Sequence, residues 1–445
     1  MKVSSVLGLN ARTKLFSYPY NSKKGKRIAR SKISTYRVLK KAQIPTPAIF
    51  KRFRTTHDVY DFNWDSLPAS FAVKPSRGLG GEGIIVVKKR AKELGFWITI
   101  QKKRIGVGDL KLHVMDILEG AYSLGNYPDV AFIQEFVDRH NAFRKYSFRG
   151  TPDIRIIVFN KVPVMAMLRL PTKESGGRAN LHQGALGLGV DITTGITTKA
   201  VYNSNLIRYK PGTERKLNGI KIPQWEEILK IAVSCQEVSS LGYLGVDIVL
   251  HPEKGPMVLE LNSQPGLQIQ LANMAGLKKR LERVEDLHVR DVEHGVNIGK
   301  ALFGERFAGR VKKDKEVKKI SVWEEITLVS DTGKKVRVLA KVDTGAWRTS
   351  IDKELAAKLG ILKKENILWM RKIRTSLGVV ERPVINLKYY LSGTKISTIA
   401  SISNRTKMRA PIIIGRRDIQ GFLVVPGIED KPHHWVPPKW NATIN

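Results

Sequence analysis

Two short runs, Gly245-Val246-Asp247-Ile248-Val249-Leu250 and Met257-Val258-Leu259-Glu260-Leu261-Asn262, constrain this chain more than any other feature. Both are apolar and rich in β-branched residues, and Pro252 to Pro256 between them has turn composition, so the pattern predicts two strands. Each run carries an acid where a strand interior disfavours one: Asp247 interrupts the first and Glu260 the second. Glu260 and Asn262 are two residues apart and point to one face of a strand. If the strands pair as a hairpin, Asp247 joins them. Three oxygen-bearing side chains with no His or Cys suit Mg²⁺ or Mn²⁺, with phosphates filling the remaining positions. The competing interpretation is a half-buried hairpin whose polar residues face water.

A metal site of that kind implies a phosphate site upstream, and the sequence offers one. Phe71-Ala72-Val73-Lys74-Pro75 reads as a strand ending in a lysine. It is followed by Ser76-Arg77-Gly78-Leu79-Gly80-Gly81-Glu82-Gly83 and then by the apolar run Ile84 to Val87. Glycines let the backbone approach a polyphosphate and aim its N–H groups inward. Lys74 adds a point charge. The loop leads into a strand and not a helix, which excludes both a P-loop and a dinucleotide fingerprint.

Joined, the two features resemble an ATP-grasp ligase of the RimK-related α-L-glutamate ligase family over residues from about 6 to 300. The opening Leu7-Gly8-Leu9-Asn10-Ala11-Arg12 and Pro19-Tyr20-Asn21 is similar to the start of one branch of that family. The resemblance implies an α+β ATP-grasp fold that joins a carboxylate to an amine through an acyl phosphate. It implies that Lys32 and Lys74 contact ATP, with Gly78, Gly80 and Gly81 over the phosphates. Gln134-Glu135-Phe136-Val137 is similar to the hinge that holds adenine and ribose. Asp153 and Arg155 match the family's Asp-x-Arg, and Arg178-Ala179-Asn180-Leu181-His182 matches its Arg-x-Asn-Leu-His. Arg155 and Arg178 are thereby implied as catalytic, Asp153 and Asn180 as ATP-binding. Asp247, Glu260 and Asn262 match the family's metal ligands. A further N-terminal domain of the family is nearly absent here, which implies that the substrate carboxylate is held differently.

The formal charge of +37 in 445 residues is the compositional outlier. It favours an acidic partner, whether nucleic acid, a ribosomal component, anionic lipid or a polyanionic substrate; a generally basic proteome or a positive ATP cleft explains it equally well. No RNA-binding motif with aromatics set among basic residues is evident. The single cysteine, Cys235, excludes an intrachain disulfide, fits a reducing cytoplasm and reads as core packing. No apolar run reaches membrane-spanning length and the N-terminus lacks a signal core, so the expectation is a cytoplasmic chain without a membrane partner.

Along the chain, Arg/Lys-rich residues 1 to 30 either wrap the domain or bind a partner. Ser31 to Ala42 has helical periodicity that Ile44-Pro45-Thr46-Pro47 stops. Arg139 to Gly150 is a basic insertion after the hinge, with Arg144, Lys145 and Arg149, read as a substrate arm or as a solvated loop. Ile154 to Phe159 and Val164 to Leu170 predict a hairpin around Asn160-Lys161, with Arg169 facing either a phosphate or water. Gln224 to Gly242 predicts a helix. The expected organisation is a ligase domain over 1–305, a charged linker over 306–320, a second domain over 321–430 and a Pro-rich tail over 431–445.

In the second domain the alternating run Lys335 to Val342 leads into Asp343-Thr344-Gly345-Ala346, and Ile412-Ile413-Ile414-Gly415 follows later. This resembles a small all-β retropepsin-like aspartic protease barrel, most similar to the bacterial RimK-associated group labelled ATP-dependent zinc proteases. Such catalysis needs two carboxylates sharing a proton. Asp331-Thr332-Gly333 repeats the tripeptide but lacks an apolar strand before it and reads as a hairpin turn. One credible aspartate per chain therefore implies a homodimer around paired Asp343 residues. His433-His434 lack CxxC or HExxH companions, so zinc has no evident ligand set.

The expected function is an ATP-dependent carboxylate–amine ligase using ATP and Mg²⁺ or Mn²⁺. It would add glutamate or another amino acid to a peptide, a protein C-terminus or a small carboxylate, and the fused peptidase would cleave the same class of product. The rivals are a basic ribosome- or nucleic-acid-associated scaffold and an ATP-regulated aspartic peptidase.

Overall fold

The computed structural model of the protein describes residues 5–78, 80–304, 318–375, 378–406 and 408–426. The chain divides into two compact units, Met1–Ala308 and Gly309–Asn445.

The first unit holds two sheets. A six-stranded antiparallel sheet runs in the order Ile49–Phe53, Ala131–Glu135, Phe71–Pro75, Ile85–Arg90, Phe96–Thr99, Arg104–Gly106. The helix Val107–Leu118 covers it, and the buried aromatics Phe53, Trp64, Phe71 and Trp97 pack between. A seven-stranded sheet runs Asn205–Ile207, Thr197–Tyr202, Leu186–Val190, Val162–Leu170, Asp153–Phe159, Tyr243–His251, Gly255–Asn262. Its central strands are buried along most of their length, as near-continuous Ile/Val/Leu composition requires. The helix Trp225–Ser239 lies beside it and buries Cys235, whose thiol burial pushes up beyond its ordinary range. The turn Asn160-Lys161 has both residues at positive φ, 48° and 57°, the conformation a tight two-residue hairpin demands.

The N-terminal segment wraps this unit. Leu7 is buried and its N–H donates to Gln270 Oε1 at 2.9 Å. Asn21 is buried, and its side-chain amide donates to the Tyr243 carbonyl at 2.8 Å and the Ser263 carbonyl at 3.0 Å. The helix Lys32–Lys41 begins at Ser31, whose hydroxyl accepts from the Ser34 N–H at 3.2 Å, an ordinary N-cap.

In the second unit, Trp323–Val329, Lys335–Asp343, Ile412–Gly415, Ser350–Asp352, Thr394–Ser403 and Gly378–Leu391 follow one another. Trp323–Val329 also pairs with Gly378–Leu391, which closes six strands into a ring, and Ile367–Thr375 lies outside it. Ile326, Leu328, Ile351, Ile385 and Ile412 are among the residues filling the interior. Asp331-Thr332-Gly333 turns between the first two strands, with Gly333 at φ 84°. The stretch expected as linker ends differently. Lys318–Ile320 is a strand paired in parallel with Phe422–Val424, so its last three residues belong to this unit. Residues 305–317 and the tail from 427, including His433-His434, lie outside the described residues.

Candidate active site

The two sheets of the first unit face each other across a cavity of about 440 Å³. One side is the glycine hairpin. Gly80 and Gly81 have φ of 61° and 83°, which only glycine adopts without strain, and a Cβ on Gly78 would meet Pro75 at 2.3 Å. Lys32 donates to the Gly78 carbonyl at 2.8 Å and ties the helix Lys32–Lys41 to this loop. Lys74 is partly buried and donates to Gln134 Oε1 at 2.8 Å. Burial first, and then the charge of Lys32, lowers its pKa to about 8, partly countered by Glu260.

The opposite side is the carboxylate hairpin. Tyr243–His251 pairs antiparallel with Gly255–Asn262, and Asp247 lies directly opposite Glu260. The Asn262 side-chain amide lies 3.4 Å from Asp247 Oδ2 and 3.3 Å from Glu260 Oε1, so the three side chains converge. On the other flank Asp247 is opposite Arg155 and accepts a two-point hydrogen bond from its guanidinium, at 2.7 and 2.6 Å. Arg169 donates to Asp247 at 2.8 Å and to Asp153 at 2.7 Å. Asp247 is only 2% exposed. Burial pushes its carboxyl up, but Arg155 and Arg169 more than offset that and hold it well below the usual range. For Asp153 burial prevails over Arg169, with Asp247 adding repulsion, and its carboxyl rises to about 6.

The profile of the family described as sugar-transfer associated ATP-grasp matches residues 11–286. The chain belongs to that family. The "Probable alpha-L-glutamate ligase" of Legionella pneumophila (strain Corby) is 30% identical over 186 residues, covering 39% of this chain and 49% of that protein. The protein of the same description from Halorhodospira halophila (strain DSM 244 / SL1) is 26% identical over 255 residues, covering 57% and 62%. The chain thus spans about half to three-fifths of the length of these relatives. Among solved structures, the ATP-grasp ligase PsnB complexed with a phosphomimetic variant of minimal precursor, Mg and ADP is 14% identical, with a TM-score of 0.32 over 59% of each chain.

In this ATP-grasp unit Lys32, Lys74, Gly78, Gly80, Gly81, and also Glu135, Phe136 and Val137, line one cleft. So do Asp153, Arg155, Arg178 and Asn180, and the trio Asp247, Glu260 and Asn262. Gln134 departs from expectation. It is buried behind the cleft, donating to the Pro47 carbonyl at 3.1 Å and accepting from Lys74, because alternate residues of a strand face opposite ways and Glu135 takes the outward position. Glu135 in turn is paired with Lys254 and accepts from the Ala48 N–H at 3.0 Å. Asn180 reaches the glycine loop, its amide 3.4 Å from the Gly80 carbonyl.

Two carboxylates and an amide, all oxygen donors, fit a hard divalent cation. Asp247 is shared with two guanidinium groups, so Glu260 and Asn262 carry the more available oxygens. Arg169, left open between phosphate and water on sequence grounds, is the partly buried link between Asp153 and Asp247. Its signal was present in the hairpin around Asn160-Lys161, but the register that brings it opposite Asp153 was not.

Asp343 lies in the second unit, at the end of Lys335–Asp343, opposite Gly415 on a parallel neighbour. Its Oδ1 accepts from the Gly345 N–H at 2.9 Å and the Ala346 N–H at 3.1 Å. Asp418, three residues after Gly415, is buried and accepts from Thr349, Tyr389 at 3.2 Å and Thr398 at 2.8 Å. Among the described residues no helix is long and apolar enough to cross a membrane.

Proposed function

We propose that the first unit is an ATP-dependent carboxylate–amine ligase. The observation that carries this reading is the opposition, across one cleft, of a lysine-bearing glycine hairpin and the Asp247–Glu260–Asn262 trio. A substrate carboxylate oxygen attacks the γ-phosphorus of ATP, and ADP leaves with the electron pair of the broken P–O bond. An amine then attacks the acyl carbon, phosphate departs, and the amine proton passes to solvent. Lys32, Lys74 and the loop glycines hold the phosphates, while Arg155 and Arg178 stabilise charge that develops during transfer. The apolar lining from Val86, Val137, Met167 and Leu259 suits a purine. Asp247, Glu260 and Asn262 would hold Mg²⁺ or Mn²⁺, which neutralises phosphate oxygens when bound.

The described activity of the curated relatives makes glutamate the first amino acid to test. Phosphate release by the purified protein across a panel of amino acids, with and without candidate acceptor peptides, is the test. Stimulation by one amino acid supports the reading; no stimulation of phosphate release with any pairing overturns it.

A second reading concerns the other unit: a retropepsin-like peptidase working as a homodimer. It is favoured by the Asp343 turn, whose carboxylate is held by two backbone N–H groups at the end of a strand in a closed six-stranded ring. Trp347, four residues on, is 54% exposed with Arg416 over its ring at 5.0 Å, an amphipathic surface suited to a partner copy.

A further inference from the structure

The strand Gly255–Asn262 ends on one of the three oxygen-bearing side chains, and Ser263-Gln264-Pro265-Gly266 then turns the chain toward the helix Ile269–Asn273. This turn lies on the cleft. Gly266 and Gln268 line it, and a Cβ on Gly266 would lie 3.7 Å from Arg155 Nη1. The turn also presses on the strand that carries Asp247. A Cβ on Gly245, directly opposite Asn262, would meet Pro265 Cβ at 2.7 Å. Whatever holds the turn therefore holds Asn262 and the wall beside Arg155.

The turn's own backbone does not hold it. Among the described residues the carbonyls of Ser263, Gln264 and Pro265 take no backbone N–H. All three accept instead from side chains of one segment, 242 to 253 residues earlier in the chain. The Ser17 hydroxyl and the Asn21 amide each donate to Ser263 at 3.0 Å. Arg12 Nη1 donates to Gln264 at 3.2 Å and to Pro265 at 3.0 Å.

Arg12 and Ser17 reach the same turn because of an unusual local backbone. Arg12–Ser17 is a π-helical stretch, and the Tyr18 N–H donates to the Thr13 carbonyl five residues back. Residues five apart then stack on one face, whereas on an α-helix they would diverge by about 140°. Such stretches are rare and recur at functional sites. Phe16, on the same side, is buried edge-on against Phe159 at 5.5 Å and anchors the stretch. Arg12 itself adds little to the core. Its Nε is buried without a hydrogen-bond partner, which costs stability, while its Nη1 serves the two carbonyls.

We infer that Arg12 is a positioning residue for the metal side of the cleft. The inference rests on the ligase reading. Through the Gln264 and Pro265 carbonyls Arg12 keeps the turn down on Gly245, so that Asn262 stays directed at Asp247 and Glu260, and Gly266 stays against Arg155. Arg12 does not line the cleft and acts only through the turn, as outer partners of metal-holding side chains do.

The test uses the full-length protein with Arg12→Met, Arg12→Lys and a control in the same stretch, Thr13→Ala, whose hydroxyl reaches only the exposed Leu9 carbonyl. ADP binding is measured by calorimetry over a Mg²⁺ series, beside phosphate release and thermal unfolding. Arg12→Met should raise the Mg²⁺ concentration for half-maximal ADP binding about tenfold and lower kcat about tenfold, with the KM for ATP at saturating Mg²⁺ within about twofold and the thermal midpoint within about 3 °C. Arg12→Lys keeps donors but loses the fork, and should show the first two changes at about threefold. Thr13→Ala should match the wild type. A lower thermal midpoint in Arg12→Met with unchanged Mg²⁺ dependence would make Arg12 an anchor of the N-terminal segment alone and overturns the inference, as does an equal loss in Thr13→Ala. Should Arg12→Met not fold, Arg12→Lys decides by the same Mg²⁺ criterion. If no amino acid drives phosphate release in the wild type, the ligase reading fails, while ADP binding needs no turnover and still judges Arg12.

Discussion

Asp247 and Glu260 stand directly opposite each other across their hairpin, although counting outward from the turn pairs Asp247 with Leu259. The register runs regularly from His251↔Gly255 to Ile248↔Val258 and then shifts by one, leaving Leu259 as the extra residue of a β-bulge. The bulge turns Glu260, and with it Asn262, to the face that carries Asp247. Without it the two acids would lie on opposite sides of the sheet. The same device occurs in the neighbouring hairpin, where a shift between Ile157 and Val158 brings Arg169 opposite Asp153.

Glu260→Gln and Asp247→Asn should each lower ATP turnover by about two orders of magnitude, ~2.7 kcal/mol in barrier height, while nucleotide still binds through Lys74 and the hinge. Turnover measured over a Mg²⁺ titration checks this. Wild-type turnover in either variant at all Mg²⁺ concentrations removes both residues from the metal site.

Arg169→Met should destabilise the first unit by about 3–5 kcal/mol, since it leaves two buried carboxylates facing one remaining guanidinium. Asp153→Asn in the same chain should restore part of that loss, because the surplus charge is then gone. Chemical denaturation of the single and double variants gives the coupling; simple additivity of the two changes would contradict a direct pair.

Lys74 should give ATP binding a pH dependence. Its pKa is lowered to about 8, so below that value the ammonium is already present and affinity is at its maximum. As pH rises through about 8 the free protein loses the proton that the polyphosphate favours, and affinity falls by up to tenfold per pH unit. Titrations of ATP binding from pH 6.5 to 9.5 should show this fall in the wild type. They should show weak, flat binding in Lys74→Met; an equal fall in that variant places the titrating group elsewhere.

If the second unit is a peptidase of the two-carboxylate kind, one Asp343 per chain would make its activity depend on dimerisation. Activity should fall faster than linearly on dilution, rise toward acidic pH where one proton is retained between the pair, and vanish in Asp343→Asn. Mixed wild-type and variant chains should interfere. Activity linear in protein and preserved in Asp343→Asn would falsify the shared-aspartate mechanism; none under any condition leaves the ring as a docking module.

Much of the candidate site was legible because its chemistry is local. The acids of the carboxylate hairpin interrupt apolar strands, the glycines of 78–83 punctuate a strand boundary, and Lys74 ends the strand before them. Ser31 as a cap and Asn160-Lys161 as a turn were legible for the same reason, since backbone preferences act over a few residues. What the sequence did not determine was register and direction. A bulge at Leu259 depends on what the strand packs against, as does the one that seats Arg169, and neither changes composition. Gln134 lies in a hinge whose pattern suggested nucleotide contact, yet its side chain faces inward and supports Lys74, a choice made by the pairing of Ala131–Glu135 with two neighbours. The meeting of the insertion 139–150 with the segment 210–215 also belongs to the tertiary structure: the two are some sixty residues apart, and only the folded unit brings the Lys210 and Arg215 side chains onto the Lys145 carbonyl. Local sequence set which groups the protein carries; long-range packing, through register, decided which of them meet.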